Sequence, residues 1–262
     1  MWNWISQLEE LRAQGREIVA VTITHVSGSA PREVGAKMLI LEGSDFFGTI
    51  GGGHLEELVL KEARDCLKLG LSRTTRYPLG AKTGQCCGGV VELFFEVLNQ
   101  GPRLYLFGAG HVGQAICRTL AGTPFQVHVI DERPEWIESP LLPKDTHRHD
   151  ESWSEFLQNA RFDRERTYAA VMTHRHDFDQ EIVQALLRNP LRYLGLIGSR
   201  SKWARFRQRL EQKGVTEAEL GRVRCPIGLP TGGKSPQEVA ISFAAELLQI
   251  HYGKKSETVD SG

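Results

Sequence analysis

No apolar run in the chain approaches the roughly 20 residues that a membrane-spanning helix needs, so no span is expected. Cysteine is scarce: Cys66, Cys86, Cys87, Cys117 and Cys225 are five in 262 residues. The count is odd and the spacing irregular, which argues against a disulfide framework. An excess of one charge is missing too, with 32 Lys+Arg against 32 Asp+Glu. No broad basic field therefore marks the chain for nucleic acid. The opening MWNWISQLEELRAQG lacks the basic-then-apolar order of a secretory signal. Trp2, Trp4, Ile5, Leu8 and Leu11 fall instead at helical spacing, so an entry helix and a cytoplasmic location are expected. No internal repeat is evident.

Local pattern divides the chain near GPR (101–103), where a turn signal precedes a new apolar run. Before it, EIVAVTITHV (17–26) alternates as a strand, and MLILE (38–42) and FFGTI follow as two more. LEELVLKEARDCLKLG reads as a helix with Leu55, Leu58, Val59, Ala63 and Cys66 on its apolar face and Glu56 and Glu57 facing outward. VVELFFEVL (90–98) is a further strand. After the boundary the rhythm becomes strand, loop, helix, repeated from LYLF, from YAAVM and from YLGLI. Such alternation implies a parallel sheet covered on both faces. Between these, ERPEW reads as a proline-broken turn, and Pro236 opens a last helix (236–251). The expected class is α/β: an N-terminal α+β domain (1–100), then a Rossmann-like parallel-sheet domain (101–252). A polar tail, 253–262, is expected to be disordered.

Chemistry concentrates in glycine-rich turns. Gly108-Ala109-Gly110-His111-Val112-Gly113 fits G-x-G-x-x-G between a strand and a helix. The first glycine permits the turn, the second the approach of a phosphate, the third helix–strand packing. Asp131 ends the next strand 18 residues after Gly113, near the spacing of a ribose-binding carboxylate. This pattern alone points to a nicotinamide cofactor; serving helix–strand packing only is the other reading. Thr173-His174-Arg175-His176-Asp177-Phe178-Asp179 follows a strand, where doubly wound sheets place ligands. His-x-His with two carboxylates suits a polar ligand or zinc, whereas Asp177 or Asp179 could serve as a helix cap. Gly198-Ser199-Arg200-Ser201-Lys202 offers hydroxyls and cations to an oxyanion, with Ser199 or Ser201 as N-cap.

In the first half, Gly28–Arg32, Gly48–His54 and Gln85–Gly89 are three glycine-rich turns within about 60 residues. They suggest backbone crowding around one ligand. A cysteine between glycines there can act as a soft ligand or nucleophile, and Cys86 and Cys87 are the candidates; the alternative is two small residues in a tight turn. Cys66 and Cys117 lie in helices and read as core. Gly228 through Ser235 has the spacing of a phosphate-binding GxxxxGK[ST] loop, but Pro226, Pro230 and Pro236 interrupt it, which argues against nucleotide hydrolysis.

Taken in order, GSAPREVGAKMLI, GTIGGGHLE, the CCGG turn, LYLFGAGHVGQAI, VIDERPEW, VMTHRHDFDQ, YLGLIGSRSK and PIGLPTGGKSPQEVAIS resemble the XdhC/CoxI family, the xanthine dehydrogenase accessory proteins. The likeness spans nearly the whole chain and makes residues 1–100 an XdhC/CoxI-type domain. It implies a non-enzymatic, homodimeric chaperone that binds molybdenum cofactor, a pyranopterin with a dithiolene and a phosphate. It further implies protection and sulfuration of that cofactor with a cysteine desulfurase, then delivery to a xanthine dehydrogenase-type molybdenum hydroxylase. The family usually has one Cys before Gly-Gly, the position of Cys87; Cys86 is a departure. On this reading Cys87 faces molybdenum, with Glu56 a polar candidate beside it. Gly108, Gly110, His111 and Gly113 cradle the ligand, with Asp131, His174, Ser199 and Arg200 in support. The alternatives are an NAD-dependent oxidoreductase with His174 or His176 as proton donor, and a metal-dependent hydrolase using the His-x-His-Asp segment.

Overall fold

A computed structural model describes residues 3–14, 16–43, 45–80, 88–98 and 101–253. The backbone forms two compact units, Met1–Gln100 and Gly101–Gly262. The tail from 254 lies outside the described residues.

The first unit opens with α1 (Trp4–Ala13), capped by Asn3, whose side chain accepts from the Ile5 and Ser6 N–H groups. Strands β1 (Ile18–Ser27), β2 (Lys37–Leu41), β3 (Phe46–Gly48), β4 (Arg73–Pro78) and β5 (Val90–Leu98) form an antiparallel sheet in the order β3-β2-β1-β5-β4. Helix α2 (His54–Leu69) lays Leu55, Val59, Ala63 and Cys66 on one face, against Val19, Val21, Met38 and Phe95. Ile18, Ala20, Leu39 and Leu41 turn the other way and meet Leu11 of α1. The first four residues of β1 are thus buried on both faces, where simple alternation would have left half of them wet.

Strand β4 is not foreseen from the sequence. RTTRYP carries little apolar signal because it is an edge strand with one buried side chain, Tyr77. Polar contacts tie it to α2 instead: Thr75 and Tyr77 both donate to Glu62, and Arg73 pairs with it at 3.0 Å. The strand register, Ser27↔Val90, Pro78↔Val90 and Met38↔Gly48, gathers the turns at 28–36 and 48–53, with residues 79–80 and 88–89, at one end of this sheet.

The second unit contains a six-stranded parallel sheet in the order β11-β10-β9-β6-β7-β8. Its strands are β6 (Arg103–Phe107), β7 (Gln126–Ile130), β8 (His147–His149), β9 (Thr167–Val171), β10 (Tyr193–Leu196) and β11 (Val223–Arg224). Helices α3 (His111–Leu120) and α9 (Pro236–Tyr252) cover one face through Ile116, Leu120, Phe243 and Leu247. Helices α6 (His176–Leu186) and α7 (Arg200–Gln212) cover the other through Ile182, Leu186, Phe206 and Leu210. Burial from both sides explains the continuous apolar runs LYLF and YAAV. The expected turn at ERPEW is instead the short helix α4 (Pro134–Ile137), with Pro134 at the helix start, where its missing N–H costs nothing. α5 (Trp153–Asn159) and α8 (Glu217–Leu220), each with a capping box, complete the unit. From β6 the chain goes to β7 on one side and later to β9 on the other. The carboxyl ends of β6 and β9 therefore flank the reversal point where open α/β sheets leave a crevice.

Candidate functional site

The turn after β6 sits at that crevice, and its three glycines have different reasons for being glycine. A Cβ at Gly108 would lie 2.4 Å from the Met172 carbonyl oxygen, and φ there is +119°. At Gly113 it would lie 2.1 Å from the Gly108 oxygen. Both are demanded by packing. At Gly110 a Cβ would meet nothing within 4 Å among the described residues, and φ is an ordinary −64°. Neither crowding nor backbone geometry requires glycine there; open space at the N-cap of α3 does accommodate close approach of a ligand. Among the described residues no side chain caps α3, so its first N–H groups are unclaimed by a cap. His111, exposed at the first turn, stands edge-on to Trp136 with ring centroids 5.0 Å apart.

Asp131 leaves β7 beside this turn and is buried. One carboxylate oxygen accepts from Ala109 N (2.8 Å) and Arg133 Nη2 (2.7 Å). The other accepts from Arg133 N (3.2 Å) and Nε (2.8 Å). Four donors match the about four lone-pair sites of a carboxylate. Burial raises its pKa, but the bonds from Arg133 and Ala109 outweigh that and hold it below the ordinary carboxylate range. The residue expected to accept from a ribose is thus already saturated by the protein, and it fixes the glycine turn through Ala109.

After β9, the Thr173–Asp179 segment divides by burial. Asp179 is fully buried; its Oδ1 accepts from Thr173 N (2.9 Å) and Oγ1 (2.7 Å), and its Oδ2 meets Lys202 Nζ at 2.7 Å. Asp179 therefore staples the end of β9 to α7 and, lying inside α6, is not the helix cap considered from sequence. Arg175 is the N-cap of α6, with no side-chain cap bond. His174, Arg175, His176 and Asp177 are exposed, and Arg175 pairs with Asp177. Among the described residues no three His, Cys, Asp or Glu side chains converge as a metal would need. After β10, Ser199 caps α7 by accepting from Lys202 N at 3.1 Å, with Ser199 and Arg200 both exposed at the crevice. Lys202, one of the two cations that the sequence offers to an oxyanion here, is instead buried and paired with Asp179. Its burial follows from Gly198, where a Cβ would strike the lysine Cδ at 2.6 Å.

In the first unit Glu56, expected on the outer face of α2, turns inward. Its Oε1 accepts from Thr49 Oγ1 (2.5 Å), Ile50 N (3.2 Å) and Gly52 N (2.9 Å). The reason is the turn itself: Gly51, Gly52 and Gly53 all have positive φ, which aims N–H groups at the start of the helix. Two of the glycine-rich turns touch: Ser29 bridges Gly88, and a Cβ at Gly89 would lie 2.2 Å from the Ser29 carbonyl oxygen. Cys86 and Cys87 lie outside the described residues. The other cysteines are quiet. Cys66 and Cys117 are buried, and burial pushes the Cys117 thiol up to about 12. Cys225 is raised to about 11 for the same reason. The Gly228–Ser235 segment packs on α9, with Gly228 N donating to Glu246 and Ser235 forming a capping box with Glu238. It follows the two-residue edge strand β11, which is not how a nucleotide-hydrolysing loop is fed.

Residues 104–247 match the family described as XdhC Rossmann domain, and residues 11–78 match the XdhC and CoxI family. The chain is 34% identical to the uncharacterized protein YqeB of Escherichia coli K12, over 95% of this chain and 46% of that one. It thus spans about half the length of that relative. It is 25% identical to a probable xanthine dehydrogenase subunit of Bacillus subtilis 168, covering 95% and 98% of the two chains. It is 24% identical to the molybdenum cofactor insertion chaperone PaoD of Escherichia coli K12, covering 95% and 88%. A crystal structure described as a xanthine dehydrogenase from Bacillus halodurans superposes with a TM-score of 0.51 at 23% identity, covering 99% and 98% of the two chains. That likeness concerns the fold.

Proposed function

The chain belongs to the XdhC and CoxI family, and from that premise we propose that it is a molybdenum cofactor chaperone of the cytoplasm rather than an enzyme with its own turnover. In this reading it holds the cofactor as cargo, shields it, supports its sulfuration with a cysteine desulfurase, and passes it to a xanthine dehydrogenase-type hydroxylase. It acts as a homodimer. The observation that carries the proposal is the open space at Gly110, where glycine is required neither by packing nor by φ. An anionic group can there approach the unclaimed N–H groups at the start of α3. Gly108 and Gly113 shape the turn, His111 flanks it, and Ser199 and Arg200 stand at the neighbouring helix start, with His174 at the rim. Cys87 is the proposed thiolate on the molybdenum side, Cys86 its neighbour. Glu56 acts by holding the Gly51–Gly53 turn, and Asp131 by holding Ala109.

The NAD-dependent alternative keeps the fold but loses its ribose hook, because Asp131 has no lone-pair position left. Native mass spectrometry after anaerobic co-expression with the cofactor pathway separates the readings. A molybdopterin mass on the chain is expected. A dinucleotide or stoichiometric zinc, with no pterin, would overturn the proposal. Within the same experiment Cys87→Ala should weaken cofactor retention.

A further inference from the structure

Beside the glycine turn, the crevice opens into a cavity of about 540 Å³ at the start of α7, lined in part by Thr173, His176, Ser199, Lys202, Arg205 and Arg209. Its charge is unbalanced. The Lys202 ammonium is neutralised by Asp179 at 2.7 Å and also donates to the Ile197 carbonyl at 3.1 Å. Arg205 and Arg209 are exposed, and among the described residues neither meets a carboxylate; Arg209 touches only the Gln180 amide oxygen, at 3.4 Å. The two stand four residues apart on one helix face, an arrangement of like charges that is unfavourable by itself. The first turn of α7 has no acidic residue and carries Arg200 and Lys202 at its positive end, again against the helix dipole. An oxyanion in this cavity would relieve both conflicts.

The neighbouring lobe has the opposite sign. The slot beside Gly108, which shares Thr173 with this cavity, carries Glu132 and Glu151, together with Asp131, which Arg133 neutralises at 2.7 Å. Within the Rossmann unit the crevice is therefore acidic on the β7 side and basic on the α7 side. A ligand with a phosphate at one end would be oriented by that difference. Two guanidiniums suit a phosphate oxygen pair better than ammonium groups would, because each offers a planar fork of donors.

We propose that the α7 cavity is an oxyanion subsite, distinct from the Gly110 turn, that takes a phosphate monoester or diphosphate through Arg205 and Arg209, with His176 at its rim. This rests on the chaperone reading for the identity of the cargo, but the subsite can be tested without it. The probes are inorganic phosphate and inorganic pyrophosphate, titrated calorimetrically into the full chain at constant ionic strength with chloride as reference. Saturable binding is expected, with affinity falling about tenfold or more in Arg205→Gln/Arg209→Gln. Arg205→Lys/Arg209→Lys keeps the charge but not the fork and should fall in between; it also serves if the glutamine variant does not fold. Arg118→Gln, on the last turn of α3, should bind as the wild type does. Equal affinity in wild type and both double variants, or heats no different from chloride, would overturn the subsite. Pterin retention in the mass spectrum would still stand in that case, so the two readings fail separately.

Discussion

Replacing Lys202 with methionine removes the ammonium 2.7 Å from Asp179 and keeps most of the side-chain volume. Asp179 is fully buried, so the variant strands a carboxylate whose remaining partners are the Thr173 N–H and hydroxyl and, at 3.8 Å, the exposed His176 ring. Breaking one side of a buried ion pair costs roughly 3–5 kcal/mol. Neutralising both sides is far milder, because the desolvation of two charges disappears along with their attraction. The double variant Asp179→Asn/Lys202→Met should therefore recover most of that loss, to within about 1–2 kcal/mol of wild type. Hydrogen exchange at the amides of β9 and β10 measures this unit alone, which matters in a chain of two compact units. Protection there should fall by a factor of roughly 10² or more in Lys202→Met, since each 1.4 kcal/mol is tenfold, and largely return in the double variant. Equal protection in wild type and Lys202→Met, or a double variant worse than either single change, would refute the assignment of Asp179 and Lys202 as the staple between β9 and α7.

Acid should weaken the Rossmann unit through His128. Its ring stacks on His147 (centroids 4.4 Å) and approaches His149 Nε2 at 3.1 Å. Burial, then the neighbouring histidines and Arg103, push its pKa from 6.5 down to about 2. The unfolded chain therefore binds a proton that the folded chain refuses. Stability from this group is complete above about pH 6.5 and drains as pH falls towards 2, by up to roughly 1.4 kcal/mol per pH unit. Urea midpoints between pH 7.5 and 5 should show it, with a shallower slope in His128→Phe; parallel slopes would contradict it. Gly113→Ala should destabilise sharply, since its Cβ would press on the Gly108 oxygen, whereas Gly110→Ala should cost no more than about 1 kcal/mol as an N-cap change. If Gly110→Ala nevertheless retains cofactor as well as wild type does, the open space at Gly110 is not a ligand approach. Thiol labelling followed by peptide mapping at pH 7.5 should leave Cys66, Cys117 and Cys225 slow, because burial raises all three; rapid labelling of Cys117 would refute its core position.

Periodicity made the long elements readable. EIVAVTITHV, LEELVLKEARDCLKL and the strand–loop–helix repeats after 103 each bury a face long enough to leave a pattern. Strand β4 left none, because it is held by Glu62 rather than by apolar burial. The glycine turn was legible as a motif, together with a turn role for Gly108 and a packing role for Gly113. What spacing does not report is the crowding behind those roles, the Met172 oxygen against Gly108 and the Gly108 oxygen against Gly113. Asp131 illustrates the same limit. Its spacing from Gly113 suits a ribose, yet Arg133, two residues on, folds back and takes the lone pairs. Glu56 looked solvent-facing from helical spacing, because three consecutive positive-φ glycines are not something periodicity can report. Arg205 and Arg209 were invisible as a pair until α7 placed them in one cavity with a lysine already neutralised.

Transfer itself is the most direct measure of whether this chain carries molybdenum cofactor to a hydroxylase. Chain isolated anaerobically with cofactor bound would be mixed with a cofactor-free xanthine dehydrogenase-type hydroxylase, and hydroxylase activity followed together with molybdenum in each separated protein. Molybdenum should leave this chain and client activity should rise in proportion, with Cys87→Ala impaired at the loading step. Molybdenum that stays on the chain while the client remains inactive, or a chain that never acquires it, would contradict the carrier role.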